Sequence, residues 1–470
     1  MADRFDTVIL GAGPAGEVAL NALAAAGQRL ALVEPELIGG ECSNWGCIPS
    51  KTLLRVSELQ AEATRVAGLS TPAVDFSQLA AYRDWMVSGH DDRQKLERYE
   101  QRGITVLKER GRIAGHGRVE VDGRLLECDA IVVATGAEAA VPPIPGLREV
   151  GFWTNREATA ARDLPESMVF IGGGFVAVEL AQLYARLGSR VTVVQGPQRL
   201  VDREQPRIGE LLAEILREDG VELRLGRRAV AALREEGDVS VELDDGERVR
   251  GATVVVATGR RPRTSDLGLE TVGAEVGRLG LRVDGSCRAA DGVWAAGDVT
   301  GVAPFTHVAK YQARIAARNI LGRPCITDYR AVPHVVFTDP ELAAVGLSEE
   351  DARARGVDAV SIEVDLPSTI ARPYTYEREP RGTFGLVADR RRGTLVGAWA
   401  IAPLAGEWIH QAVLAIRAEL PLSLLEDTIA QFPSFSEAVG SALRSLEAKT
   451  GIVDHCAHPR LEWRDARAAV

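Results

Sequence analysis

Along the first 35 residues the apolar and polar positions fall into blocks. The run DTVIL is apolar and β-like and leads into Gly11-x-Gly13-x-x-Gly16; an Ala/Leu-rich helical stretch follows, and a second apolar run, LALV, closes on Glu34. This order predicts strand, glycine turn, helix and strand. It returns as MVFIGGGFVAVELAQLYARLGSRVTVVQGP, with Gly172-x-Gly174-x-x-Ala177 in the glycine positions and Gln195 in the place of Glu34, 18 positions after the third small residue in both copies. Each copy is followed by an apolar run ending in Ala-Thr-Gly, IVVATG at Gly136 and VVVATG at Gly259. The expected fold is therefore α/β, with one supersecondary unit used twice.

The residues of that unit say what it holds. Its glycines permit a tight turn, close approach of a pyrophosphate to the backbone and close helix packing, and the helix N-terminus favours the phosphate charge. Strand, glycines, helix, strand and terminal acid together are far more specific than the glycines alone. Two dinucleotide sites are expected, and with different preferences. Glu34 suits an adenosine ribose with free hydroxyls and repels a 2′-phosphate; the neutral Gln195 does not. Arg199 and Arg203 follow closely enough to be phosphate partners, which leans the second site towards NADPH rather than NADH.

Composition narrows the class. A chain of 470 residues exceeds what one core usually serves, so two to three domains are expected. A net charge of -11 argues against a general nucleic-acid or anionic-membrane surface, because both reward basic patches. The opening MADRFDTVILGAG lacks the pattern of a secretion signal, and no run reaches the roughly 18 apolar residues of a membrane span. A cytoplasmic protein is the expectation, and no low-complexity tract or solenoid repeat interrupts it.

The six cysteines are too few and too scattered for a secreted disulfide framework. Cys128, Cys287 and Cys325 stand alone and read as core or surface residues. Cys42 and Cys47 differ: GGECSNWGCIPSK sets them five apart at the start of an expected helix, with Trp45 between them. Zinc sites use shorter spacings and four ligands, and no second close pair is present. An undistorted helix would separate residues five apart by about 7.5 Å along its axis, beyond the roughly 7 Å Cα limit of a disulfide. A bonded pair therefore requires a distorted turn. Strained disulfides are the easily reduced ones, and a cytosolic disulfide is usually catalytic or redox-sensing.

GGECxxxxCIPSK, the two nucleotide motifs, VWAAGDVT at 293–300 and VFTDPELAAVG at 336–346 together resemble the flavoprotein disulfide reductases, the family of dihydrolipoamide dehydrogenase, glutathione reductase and mercuric reductase. The motifs span nearly the whole chain in the family's order. The resemblance implies FAD in the first site and a nicotinamide cofactor in the second, with hydride passing to the flavin and electrons on to the cysteine pair. It also implies roles. Cys47 would be the flavin-facing sulfur and Cys42 the interchange sulfur; Lys51 would lie near the flavin and pair with Glu179; Asp298 would bind the flavin ribityl or pyrophosphate side; Phe175 would cover the nicotinamide pocket. Residues 1–150 and 266–330 would form the FAD domain, 151–265 the nicotinamide domain, and 331–470 an α+β domain through which the family forms homodimers.

One position departs from the family's pattern. Members that turn over small disulfides carry a C-terminal His-Pro-Thr-x-x-Glu motif whose histidine serves the interchange thiol as acid and base. The corresponding stretch is QFPSFSEAV: Phe432 stands in the histidine position, while Pro433 and Glu437 remain. Such proton transfer is worth about 10² to 10⁴-fold in rate, and phenylalanine supplies none. The expected acceptor is a small molecule or small thiol compound that needs little proton transfer: a low-pKa or strained disulfide, a quinone or a metal ion. The other readings are transhydrogenation or diaphorase activity at the flavin alone, a dihydrolipoamide dehydrogenase, or a non-enzymatic FAD-binding subunit. In the tail, Cys456 between His455 and His458 could bind a soft metal or be an incidental thiol. His307 and His410 read as structural hydrogen-bonding groups.

Overall fold

The computed structural model describes residues 3–452, so the tail cysteine and its two histidines lie outside the described residues. The chain divides into two compact units, residues 1–61 with 71–328, and residues 62–70 with 329–470.

In the larger unit the repeated sequence pattern becomes a repeated topology. Four parallel strands run in the order Thr105–Leu107, Leu30–Val33, Asp3–Leu10 and Arg124–Val133, with Val293–Ala295 joining in parallel at the far side. The second copy repeats this order as Glu222–Leu225, Arg190–Gln195, Ser167–Ile171 and Thr253–Val256, again all parallel. These strands are near-continuous apolar runs because both faces are covered; Val8, Ile9, Leu32, Ile131 and Val132 are fully buried, as are Val169, Phe170, Val193 and Val255. Each first strand turns through its glycines into a helix, Pro14–Ala25 or Phe175–Arg186.

The two turns match bond for bond. Gly11 N–H donates to Val33 O at 2.8 Å, and Gly172 N–H to Val194 O at 2.8 Å. Both glycines have left-handed φ, 103° and 109°, and a Cβ on either would lie 2.4 Å from a carbonyl of the adjoining Ala-Thr-Gly strand, Ala134 or Ala257. Only glycine fits there. A short two-stranded sheet pairs Ala137–Ala139 with Arg260–Pro262, so the residues just beyond the two Ala-Thr-Gly turns meet.

The smaller unit carries a five-stranded antiparallel sheet, ordered Pro333–Val336, Glu341–Gly346, Thr394–Ala402, Thr383–Asp389 and Ala359–Asp365. Its core packs Phe384, Leu386 and Ala400 of the sheet with Leu443 and Leu446 of the helix Glu437–Thr450. The α/β reading, with two dinucleotide folds and a C-terminal α+β part, is what the chain adopts. Among the described residues no helix is long and apolar enough to cross a membrane.

Candidate active site

The distortion required of the cysteine turn is present. A helix at Gly40–Asn44 ends at Trp45, whose φ of -131° is non-helical, and a new helix begins at Cys47 and runs to Arg65. The break brings the sulfurs together: Cys42 Sγ donates to Cys47 Sγ at 2.7 Å, both as free thiols. Close approach of two loops also sets this turn, since a Cβ on Gly40 would lie 2.6 Å from Gly13 Cα and Gly39 N–H donates to Ala12 O at 2.8 Å.

The two thiols are electrically unlike. The Cys42 S–H bond is the main influence lowering Cys47, to about 6; burial opposes it, and the Thr306 hydroxyl and the Lys51 ammonium reinforce it. The same bond, with burial, pushes Cys42 well above the ordinary thiol range. The arrangement favours the negative charge on Cys47 and the proton on Cys42. Thr306 Oγ1 lies 3.4 Å from Cys47 Sγ at the first position of the helix Thr306–Ile320. Sequence reasoning missed it while weighing its neighbour His307, which stacks on Phe305 at 5.3 Å.

Lys51 lies one helical turn beyond Cys47, and its Nζ donates to Glu179 Oε2 at 2.7 Å. The expected pair is thus formed, with the Glu179 side chain only 8% exposed and that of Lys51 33%. Phe175 opens the same helix as Glu179 and stacks with Phe305 at 6.4 Å.

Asp298 opens a short helical turn and lies 3.7 Å from Arg260 Nε. Burial raises the Asp298 carboxyl, and the Arg260 charge pulls against it. Arg260 Nε is buried without a hydrogen-bond partner, and Arg260 Nη1 also approaches Glu41 Oε1 at 3.7 Å. Sequence reasoning passed over both Glu41, inside the cysteine motif, and Arg260, directly after Gly259; their positions within or next to two quoted motifs were the available signal.

At the ends of the second strands of the two copies the residues correspond again. Glu34 Oε2 accepts from Ala12 N–H at 2.7 Å, and Gln195 Oε1 accepts from Gly173 N–H at 2.7 Å. Burial raises the Glu34 carboxyl, while the Ala12 and Glu36 amides pull it back. Beside Gln195, Arg199 Nε is buried with no hydrogen-bond partner. Arg203 is exposed. Arg228, which sequence reasoning did not select, lies against Gly196, its Cγ 3.5 Å from where a Cβ would stand.

These residues fit dinucleotides. Over the second glycine of each turn there is room: a Cβ on Gly13 would meet only Gly40 Cα, at 4.0 Å, and one on Gly174 nothing within 4 Å. Gly136 and Gly259 have left-handed φ of 69° and 128° and open space in front of them. Gly16 and Ala177 instead pack inward; a Cβ on Gly16 would strike Gly11 O at 1.9 Å, and Ala177 is fully buried.

In the smaller unit Phe432 precedes a cis peptide bond to Pro433 and is 76% exposed. Glu437 opens the helix to Thr450 and accepts from Ser434 N–H at 2.9 Å. Cys287 and Cys325, solitary in sequence, share one small cluster with Ile315 and Trp294, and Cys128 is buried in the first sheet's core.

A duplicated dinucleotide fold with a cysteine pair beside the first glycine turn defines an oxidoreductase that works through bound nucleotides. The chain belongs to the pyridine nucleotide-disulphide oxidoreductases, which it matches over residues 5–313, with the family's dimerisation domain matching residues 332–443. It is an enzyme of a flavoprotein family that uses FAD and a pyridine nucleotide. It is 33% identical to a mercuric reductase from Staphylococcus aureus over 463 residues, 96% of this chain and 84% of that one. It is similar to the HOCl-induced flavoprotein disulfide reductase RclA from Escherichia coli, solved as a Cu(II) complex, at 30% identity and a TM-score of 0.82, covering 92% of this chain and 98% of that one. LpdA from Mycobacterium tuberculosis is similar at 30% identity and a TM-score of 0.83, covering 95% and 100%.

Proposed function

We propose that this enzyme takes electrons from NADPH through FAD to a redox-active Cys42–Cys47 pair and on to an acceptor that needs no side-chain proton donor at position 432. The observation that carries the reading is the dithiol: two sulfurs 2.7 Å apart, with the Cys47 thiol lowered to about 6 and the Cys42 thiol raised. FAD, when bound, supplies the two-electron relay between nicotinamide and disulfide. Cys47 holds negative charge beside the Lys51–Glu179 pair and the Thr306 hydroxyl; Cys42 keeps its proton and is the sulfur that meets the acceptor.

The acceptor class follows from Phe432. A strained or low-pKa disulfide, a quinone or a soft metal ion all leave or accept electrons without a nearby imidazole. The mercuric reductase relative and the Cu(II) complex of RclA make a metal ion the first to test. NADPH is favoured because Gln195 carries no charge to repel a 2′-phosphate, and because Arg199 and Arg228 lie beside it. Residues 1–150 with 266–330 would hold FAD, 151–265 the nicotinamide, and 331–470 the subunit contact of a cytoplasmic homodimer.

Anaerobic titration with NADPH, and separately NADH, tests this. Two electrons should produce the long-wavelength absorbance of a thiolate beside flavin, with NADPH the tighter donor. Bleaching without that band, and equal NADPH to thio-NAD transfer in wild type and a double Cys→Ser variant, would mean that the flavin acts alone.

A further inference from the structure

The turn that carries the two cysteines is held from outside by a cluster of polar contacts whose centre is Arg156. Its Nε and Nη2 donate to Glu41 Oε2 at 2.9 and 2.7 Å, and Nη2 also donates to Glu36 Oε2 at 2.9 Å. Its guanidinium lies over the Trp45 ring, 5.3 Å from the centroid, and the His90 ring stacks on Trp45 at 4.0 Å. Trp45 thus packs against both groups. Its carbonyl, at the point where the helix breaks, accepts from Asn155 Nδ2 at 3.1 Å and Thr159 Oγ1 at 2.9 Å. Asn155 Nδ2 donates to Glu41 Oε1 as well, at 2.9 Å.

Residues 155, 156 and 159 all belong to one short helix, Asn155–Ala160, which is anchored at both ends. A Thr154–Glu157 capping box closes its start. At its end the fully buried Arg83 donates to the carbonyls of Thr159 and Ala161, and Tyr184 Oη donates to Ala158 O. The Arg83 Nε is paired with Asp84 Oδ1 at 2.8 Å, so the buried charge is compensated, and the other guanidinium nitrogens fix the helix that grips the cysteine turn. His90 is presented at a price: Ser88, Gly89 and His90 all have left-handed φ, 54°, 60° and 58°, and the His90 Nε2–H donates to Asn44 O at 3.0 Å.

We infer that the helix Asn155–Ala160 acts as a clamp that keeps the Cys42–Cys47 turn closed in the reduced protein, with Arg156 a positioning residue that sets the redox poise of the pair. In the disulfide the covalent bond itself closes the turn, so the clamp has little left to do there. In the dithiol only non-covalent contacts keep the sulfurs adjacent: the clamp, the Cys42 hydrogen bond to Cys47 and the Gly39–Ala12 bond. Loosening the clamp frees the reduced turn and favours the dithiol, which makes the couple more oxidising. The reaction is the exchange of the Cys42–Cys47 disulfide with one dithiothreitol: two thiols form on the protein, and the reagent's two thiols close to its cyclic disulfide. The inference rests on the reading of Cys42 and Cys47 as a redox couple.

The test equilibrates the full-length FAD-bound protein in mixtures of reduced and oxidised dithiothreitol and counts free thiols at Cys42 and Cys47 by alkylation and mass, a readout independent of turnover. Freeing about one residue's backbone is worth roughly tenfold, so Arg156→Ala should shift the disulfide/dithiol ratio about tenfold towards dithiol, or about 30 mV. Arg156→Lys keeps the charge without the planar fork and should recover part of that shift. Thr159→Val, the mildest variant, should move the ratio in the same direction by a smaller factor. Ratios within about twofold of wild type in Arg156→Ala and Thr159→Val, with a wild type that titrates normally, would overturn the clamp alone. A wild type whose two cysteines never interconvert with a disulfide in any mixture would overturn the redox reading and the clamp with it.

Discussion

Replacing Thr306 with valine keeps nearly the same shape and removes one hydroxyl, and its effect on Cys47 can be worked out in advance. Cys47 is lowered to about 6, against about 8.5 for an ordinary thiol, so at pH 7 thiolate outnumbers thiol by about ten to one. The Thr306 hydroxyl sits 3.4 Å from the sulfur. A hydrogen bond to a charged group is worth about 1.5 kcal/mol at the lower end, the appropriate end for so long a contact. At 1.36 kcal/mol per unit, its loss should raise Cys47 by about one unit. The sign is that of an acid lowered in the fold: the thiolate disappears as pH falls through the folded value, and in Thr306→Val that loss sets in at higher pH. The assay is the iodoacetamide rate at Cys47 of the reduced protein between about pH 4.5 and 9, assigned by mass spectrometry. Cys42→Ala should move the midpoint further than Thr306→Val, because the Cys42 S–H bond is the largest influence on Cys47. A Thr306→Val midpoint within about 0.3 unit of wild type would mean the hydroxyl does not donate to the thiolate.

Gly172→Ala places a Cβ 2.4 Å from the Ala257 carbonyl in a left-handed backbone, a strain of about 1–3 kcal/mol; the nicotinamide coenzyme's KM should rise at least about tenfold while FAD content stays at wild-type level, and an unchanged KM would refute the assignment of that turn. Arg228→Gln should weaken NADPH by about tenfold, as expected for a lost charge-assisted contact of about 1.4 kcal/mol, and leave NADH unaltered; equal losses for both coenzymes would remove Arg228 from the 2′-phosphate. Phe432→His should raise any residual lipoamide activity, towards the roughly 10²-fold that general acid-base help can supply; no gain would show that the channel, not the base, differs.

What the sequence disclosed and what it hid divide along a physical line. The duplicated fold was legible because glycine at a left-handed φ, an apolar strand buried on both faces and a polar residue at the strand's end are each local requirements, met by residues a fixed distance apart. Gly11 and Gly172, and Glu34 and Gln195, could be paired by counting, and their hydrogen bonds are paired as well. The Lys51–Glu179 contact, 128 positions long, was legible only through a family resemblance, since nothing local to either residue demands the other. Thr306 and Arg228 were invisible because each meets its neighbour through a chain separation that no periodicity encodes. Trp45 is the instructive middle case. Its place between the cysteines is read directly from the sequence, but what it packs against, His90 on a strained loop and Arg156 on a capped short helix, is set by two segments 45 and 111 positions away in the sequence. Local chemistry chose the residues that react, and long-range contacts chose the geometry in which they do so. The redox poise of this pair is therefore expected to respond to substitutions at Arg156 and Thr159, which the cysteine motif itself does not contain.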